Sequence, residues 1–435
     1  MMGRIRRRLT GTVAVLGALA LVPTVLSGPA LAHDDNRDRF NYCGNNAMVK
    51  ETLKTGTEWR MCWRVDTKAG LILERVGYKP KGEKYPITVM RSAQLAQLNV
   101  PYDSGEHQWN DITSYGFGGY YSHAIAKKEC PGGKLEGQWI GKKEDAKKVL
   151  CVQKVDSGLA YRSQEQEWMS PDLGDLFTAQ GQDLVVYTIS KVDWYEYVTE
   201  WRFADDGQIS ARLGATGDLS PEDWTTPDKG WPIGKDATAI SGNHFHNATW
   251  RVDFDIDGDG GGGGGEKVEQ YDTVDTGVRG KRGEVYSTAK TDITKEGSFQ
   301  NANLRWWRIS SQSSKNADGH NRSYELVQNT TNQQYTANAP QSPAVSFTQA
   351  KACEKFASFN ADPECGAQDI PGYVNGEKLT DPLMWVTVPF HHIPRDEDQS
   401  PMPVHWQGFD LLPRDVTAMN PLTPKGRTDN NGQVG

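Results

Sequence analysis

The chain has 435 residues, is 37% hydrophobic and 24% charged, and has a mean hydropathy of −0.66. That is room for one large domain or two to three ordinary ones, and it excludes a body embedded in a membrane. The formal net charge of −8 makes nucleic acid a poor partner.

Arg4, Arg6, Arg7 and Arg8 precede an apolar run over residues 13–26 and the small-residue site Ala30-Leu31-Ala32. This order reads as a secretory signal over residues 1–32, too short and wrongly flanked for a spanning helix, so the expectation is a secreted protein with no membrane anchor. Its removal leaves 403 residues with a net charge of −12, because the segment holds four arginines and no acid. Residues 33–56 form an N-terminal segment; the His33 it would expose is read as a chance histidine at the junction.

Six cysteines fall as sequence neighbours, Cys43 with Cys62, Cys130 with Cys151 and Cys353 with Cys365, and no CxxC pair exists. In an exported chain they suggest disulfides rather than a zinc site; of the connectivities open to six cysteines, sequential pairing minimises loop length. Short alternating runs such as Leu71-Ile72-Leu73-Glu74-Arg75-Val76, Leu184-Val185-Val186-Tyr187-Thr188-Ile189 and Trp250-Arg251-Val252-Asp253-Phe254-Asp255-Ile256, punctuated by Gly, Asn and Asp, predict strands. Helical spacing is confined to residues 93–98 and 348–359. Two stretches, the glycines 260–265 and the polar residues 310–342, are read as surface loops. Patterning resumes on both sides of each, so the expectation is one domain over residues 57–424, followed by a flexible tail at 425–435. Its class is mainly β, a large antiparallel β-sandwich.

The chemistry-bearing residues begin with His244-Phe245-His246. On a strand, alternation projects both imidazoles from one face, close enough to share a metal ion. His391-His392-Ile393-Pro394-Arg395 offers a third imidazole, and three imidazoles with open positions suit Cu(II) or Zn(II). Asp253, Asp255 and Asp257 with Gly258 mimic the start of an EF-hand, but Gly264 stands where the bidentate Glu is required. A hard-cation site on a strand remains.

The His244 to Gly258 stretch resembles the strand of copper amine oxidases in which two copper-ligand histidines precede an Arg-x-Asp segment. The run from His391 through Asp398 to Pro403-Val404 is similar to the same family's third-ligand motif, which assigns copper to His392 and leaves His391 a neighbour. The family's quinone motif, T-x-x-N-Y-[DE]-[YN], is matched by Lys191-Val192-Asp193-Trp194-Tyr195-Glu196-Tyr197, with Lys191 in place of the threonine and Trp194 in place of the asparagine. The resemblance implies that Tyr195, which precedes His244 by 49 residues, is the source of topaquinone.

It also implies a carboxylate base, for which two aspartates compete. Asp103-Ser104-Gly105-Glu106 looks like the family's D-x-G-E segment, but Asp111-Ile112-Thr113-Ser114-Tyr115-Gly116-Phe117-Gly118 keeps the Tyr-Gly-x-Gly that follows it, and Asp111 lies 84 residues before Tyr195. Asp111 is preferred. Val100-Pro101-Tyr102 resembles the family's VPY, whose tyrosine hydrogen-bonds the quinone oxygen, and Cys130 and Cys151 match its disulfide. A second cation, calcium, falls to Asp253, Asp255 and Asp381 with the Phe254 and Pro382 carbonyls.

What the resemblance implies is thus a catalytic domain without the family's usual leading domains, a homodimer. It would be a secreted copper(II)- and topaquinone-dependent oxidase converting a small primary amine, O2 and water to aldehyde, ammonia and peroxide. The alternative is a copper-binding sandwich that has lost turnover. A carbohydrate-binding module, suggested by fourteen tryptophans, is disfavoured because they are spread along the chain.

Overall fold

The computed structural model describes residues 42–44, 46–139, 146–166, 169, 171–221, 228–256, 265–302, 304–328 and 343–424. The signal segment, His33, Asp257, Gly258, most of the glycine run and the tail lie outside them. The described residues from Cys43 onward belong to one compact unit.

Seven strands position the site and are labelled in chain order: β1 (Ile87–Pro101), β2 (Leu173–Val192), β3 (Tyr195–Ala204), β4 (Ile209–Gly217), β5 (His244–Phe254), β6 (Pro382–His392) and β7 (Met402–Arg414). One nine-stranded sheet runs Ala47–Thr52, Glu58–Asp66, Gly70–Lys79, β1, β5, β6, Val345–Gln349, Gly297–Phe299, with Gln108–Asn110 paired to β1. A ten-stranded sheet runs Gly283–Ile293, Glu266–Gly280, Trp306–Lys315, Asn321–Val327, β7, β4, β3, β2, Ala146–Gln166, Lys134–Trp139. Every registered pair is antiparallel, as the expected class requires.

The two sheets share one apolar core. Trp59 from the first packs on Phe203 from the second at 5.0 Å between ring centroids, and Trp250 packs edge-on against Phe409 at 5.5 Å. Inward-facing positions of both sheets supply this core, which is the sandwich arrangement.

Three local expectations are corrected. Residues 93–98 are not helical but lie inside β1, where Ala93, Leu95, Ala96 and Leu98 are all buried. A strand covered on both faces loses its alternation and then resembles a helix in sequence. The cover on the outer face is the second misread segment, 348–359. It finishes a strand at Gln349 and continues as irregular chain, where Ala357, together with Ile370 and Tyr373 from a short helix just beyond it, packs against Ala96 and Trp385. Its carbonyls are held from β1, by Gln94 Nε2 to Lys355 O at 2.8 Å and Gln97 Nε2 to Ser358 O at 3.1 Å. Third, the polar stretch that starts at residue 310 contributes to strands Trp306–Lys315 and Asn321–Val327, with Ser310, Ser311 and Ser323 fully buried. Small hydroxyls fit between stacked strands where the composition alone reads as loop.

Cysteines pair sequentially, Cys43–Cys62, Cys130–Cys151 and Cys353–Cys365. Loops of this length are worth about 3 kcal/mol each through the entropy removed from the unfolded chain.

Candidate active site

The register of the first sheet builds a three-histidine centre. His244 and His246 alternate onto one face of β5, and His392, at the end of β6, is the direct cross-strand partner of His244. All three are buried. The Nε2 of His244 and the Nδ1 of His392 stand 3.0 Å apart, and the three ligand atoms lie within 4.8 Å of one another.

Hydrogen bonds behind the rings fix which nitrogens face inward. His244 Nδ1 donates to the Gly242 carbonyl at 2.9 Å, so its Nε2 carries a lone pair. His392 Nε2 donates to Asp398 Oδ2 at 3.1 Å, so its Nδ1 carries one too. Two lone pairs at 3.0 Å cannot satisfy each other, and neither ring nitrogen of His246 has a protein partner among the described residues. Burial holds His244 down to about 3, with help from His392, and pushes His246 well below the usual imidazole range. His392 is lowered as well, because burial outweighs Asp398. Three neutral imidazoles aiming unshared lone pairs at one point are the donor set of a borderline divalent metal, and Cu(II) fits it.

Tyr195 opens β3 and faces that point. Its hydroxyl lies 2.7 Å from His244 Nε2 and 3.1 Å from His392 Nδ1. The hydroxyl donates to one of these nitrogens at a time. Burial first, then Tyr102, Asp398 and Asp111, raise the phenol well above its usual range, so in the absence of metal it stays protonated.

Beside the Tyr195 ring lies a narrow, partly open cavity lined by Val100, Tyr102, Trp109, Asp111, Tyr115, Val192, Asp193, Trp194, Tyr195 and Tyr197. Asp111 begins the short helix α1 (Asp111–Ser114) that follows Gln108–Asn110. It is 4% exposed and is pushed up to about 7 by burial, against the Tyr197 hydroxyl, which draws it down, and with the Asp193 charge, which raises it further. A carboxyl group that titrates near neutrality beside the Tyr195 ring is suited to act as a general base.

Asp103 is placed otherwise. Its Oδ2 accepts from Gly230 N and Asn243 Nδ2, each at 2.8 Å, so it braces two loops and does not line the cavity. Tyr102 forms a bridge to His244 and stacks on its ring, with centroids 4.6 Å apart at 24°. The second-cation residues are only partly assembled: Arg91 Nη1 reaches Asp253 Oδ1 at 2.9 Å and Asp381 Oδ2 at 3.0 Å, while Asp255 is buried nearby on the same chain turn. A further cation there would share Asp253 and Asp381 with a guanidinium.

Three participants were not assigned from sequence. Tyr197 stacks on Tyr195 at 5.7 Å and interacts with Asp111; the signal was its position two residues on, hence on the same strand face. Asp398, fully buried, orients His392 and also meets His405 Nε2 at 2.9 Å. It lay in the run that carries the third histidine. Trp109 walls the cavity two residues before Asp111, and no local pattern marks it.

Fold and centre together define a class: an antiparallel β-sandwich whose three-histidine cluster faces a buried tyrosine, with a carboxylate in the cavity beside it. The family model for the copper amine oxidase enzyme domain matches residues 49–429, and the chain belongs to that family. It is 24% identical over 403 residues to primary amine oxidase 1 of Arabidopsis thaliana, covering 84% of this chain and 61% of that protein. Against histamine oxidase of Arthrobacter globiformis it is 24% identical over 395 residues, covering 83% and 55%. Among solved structures it resembles a copper-containing benzylamine oxidase from Hansenula polymorpha, with TM-score 0.68 and 20% identity over 86% of this chain and 62% of that one. A Pichia pastoris lysyl oxidase gives TM-score 0.67 at 18% identity, over 84% and 52%. The chain spans less than two thirds of the length of these relatives.

Proposed function

We propose that this protein oxidises primary amines, R-CH2-NH2 with O2 and water giving aldehyde, ammonia and hydrogen peroxide, with copper at His244, His246 and His392 and topaquinone formed from Tyr195. The observation that carries this reading is the Tyr195 hydroxyl, 2.7 Å and 3.1 Å from two imidazole nitrogens whose lone pairs converge, with Asp111 lining the same cavity as the ring.

When bound, copper and the quinone supply the electron sink and the oxygen chemistry. The chain supplies the rest. Asp111, ionised above about pH 7, takes the proton from the substrate carbon next to nitrogen. Tyr197 positions that carboxylate, Tyr102 stacks against His244 at the edge of the ring site, and Trp109, Tyr115 and Trp194 exclude water from the cavity. Asp398 holds His392 in the tautomer that leaves Nδ1 for the metal.

Export is part of the same proposal. The arrangement of residues 1–32 supports it, as do three disulfides in the described residues. A homodimer is supported by two hairpins exposed on both faces. The hairpin of Ala146–Gln166 with β2 exposes Leu159 and Leu176, and that of Glu266–Gly280 with Gly283–Ile293 exposes Val278 and Tyr286. Copper is the one metal this reading requires; calcium is left aside because Arg91 already pairs two of its carboxylates.

Trp194 favours a second reading, a copper protein without turnover, because an indole packs where the quinone motif has an asparagine. Phenylhydrazine added to copper-loaded, aerated protein separates the two. The amine-oxidase reading expects a coloured adduct on the Tyr195 peptide and amine-dependent peroxide. Bound copper with neither supports the second.

A further inference from the structure

The hairpin between β2 and β3 closes on the pair Val192 and Tyr195, leaving Asp193 and Trp194 as a two-residue loop. Asp193 takes φ of 50°, a left-handed conformation that a short polar side chain tolerates. That loop fixes a carboxylate two residues from the reactive tyrosine. Asp193 lines the narrow inner cavity and also a wider outer groove that reaches the exposed Tyr120. It therefore stands at the junction of the two.

The charges around this junction differ in how they are used. Lys191 pairs with Glu196 at 3.3 Å, and Lys147 donates to the Ser122 carbonyl at 3.3 Å. The Asp193 carboxylate is exposed and has no hydrogen-bond or ion-pair partner among the described residues. Between it and Asp111 the wall is aromatic, formed by Trp109, Tyr115 and Trp194, which accepts methylene chains and favours a cation over its ring faces. One cavity thus has a carboxylate at the reacting end and another at its mouth, with apolar surface between.

We propose that Asp193 is a specificity-determining residue that receives a second, unreacting ammonium group, so that the site prefers aliphatic diamines to monoamines of the same length. The inference rests on the amine-oxidase reading for its chemistry, and it deepens that reading by naming the substrate class. A pair formed at a partly exposed carboxylate is worth up to about fivefold in affinity, and more where the mouth excludes water.

The test uses 1,6-diaminohexane and hexylamine with the full chain and D193N, which keeps the size and backbone tolerance of the residue. Calorimetry on copper-free protein, with Tyr195 unmodified, reads binding without turnover; peroxide release from copper-loaded protein reads kcat/KM. The expected result is a diamine-to-monoamine ratio of about five or more in the parent, falling to about one in D193N, in both assays. A ratio near one in the parent, a ratio preserved in D193N, or no binding of either amine overturns the proposal. Absence of a phenylhydrazine adduct on Tyr195 overturns the amine-oxidase reading instead; a diamine preference that calorimetry then finds in the parent and loses in D193N still supports Asp193 as the receiving group.

Discussion

The metal side and the substrate side of the Tyr195 ring are built by different means. On the metal side the three imidazoles are set by strand register, His244 and His246 by alternation on β5 and His392 by pairing with His244, while Asp398 comes from the tight turn after β6. On the substrate side the groups come from a two-residue loop, a four-residue helix and a three-residue strand. Both departures from the quinone motif, Lys191 and Trp194, fall at this hairpin, with Asp193 between them. A ladder of hydrogen bonds tolerates no local shift without flipping side chains to the other face, whereas short connections accept substitution. On the proposed function, the chemistry rests on the side built by register and the choice of substrate on the side built by short connections.

Predictions follow from trying to separate the two sides. The largest effect is expected of Tyr195→Phe, which removes the quinone source while leaving three imidazoles in place: turnover vanishes, and copper content measured by metal analysis stays at one per chain. Loss of copper in this variant would show the two sides to be inseparable.

Next, Asp111→Asn lowers kcat/KM by about 100- to 10,000-fold, the usual worth of a general base, with the quinone spectrum retained. In the parent, kcat/KM rises as pH passes through about 7, because the ionised carboxylate is the active form. The same raised value makes a stability contribution that is complete below the ordinary aspartate range and is lost as pH rises through about 7. Thermal melts of the parent between pH 4 and 7 therefore decline more than those of Asp111→Asn.

A smaller effect belongs to Asp398→Asn. The tautomer of His392 is no longer enforced, and copper affinity falls by about 10- to 100-fold in a chelator competition, with the fold unchanged by circular dichroism. The smallest is Trp194→Asn, which restores the quinone motif at one position. Quinone formation in aerated, copper-loaded protein accelerates by a few-fold, read at its visible absorbance, because an amide leaves the ring more room than the indole that shares its cavity.

The metal side was legible in sequence because its signals are local alternation and motifs of fixed order: His244, His246, His392 and Tyr195 could be named with no knowledge of which strands pair. Asp111 was distinguishable from Asp103 by the Tyr-Gly-x-Gly that follows it, and the structure gives Asp103 a bracing role instead. Trp109 and the closeness of Tyr197 to Asp111 were not legible, since both depend on a helix from one sheet meeting a hairpin from the other. The misread of residues 93–98 has the same origin. Cover supplied by a segment about 260 residues away buries both faces of this strand, Gln94 and Gln97 included, and so removes the alternation that marks a half-buried one. The arginine between Asp253 and Asp381 was hidden for that reason too, because Arg91 reaches them only through sheet order.

The account stands most directly on the mass of the peptide containing Tyr195 after copper is added to metal-free protein in air. The expected product has gained two oxygen atoms and lost two hydrogens at Tyr195, and forms only with copper and oxygen together. An unmodified mass in protein that has bound copper through His244, His246 and His392 would contradict it.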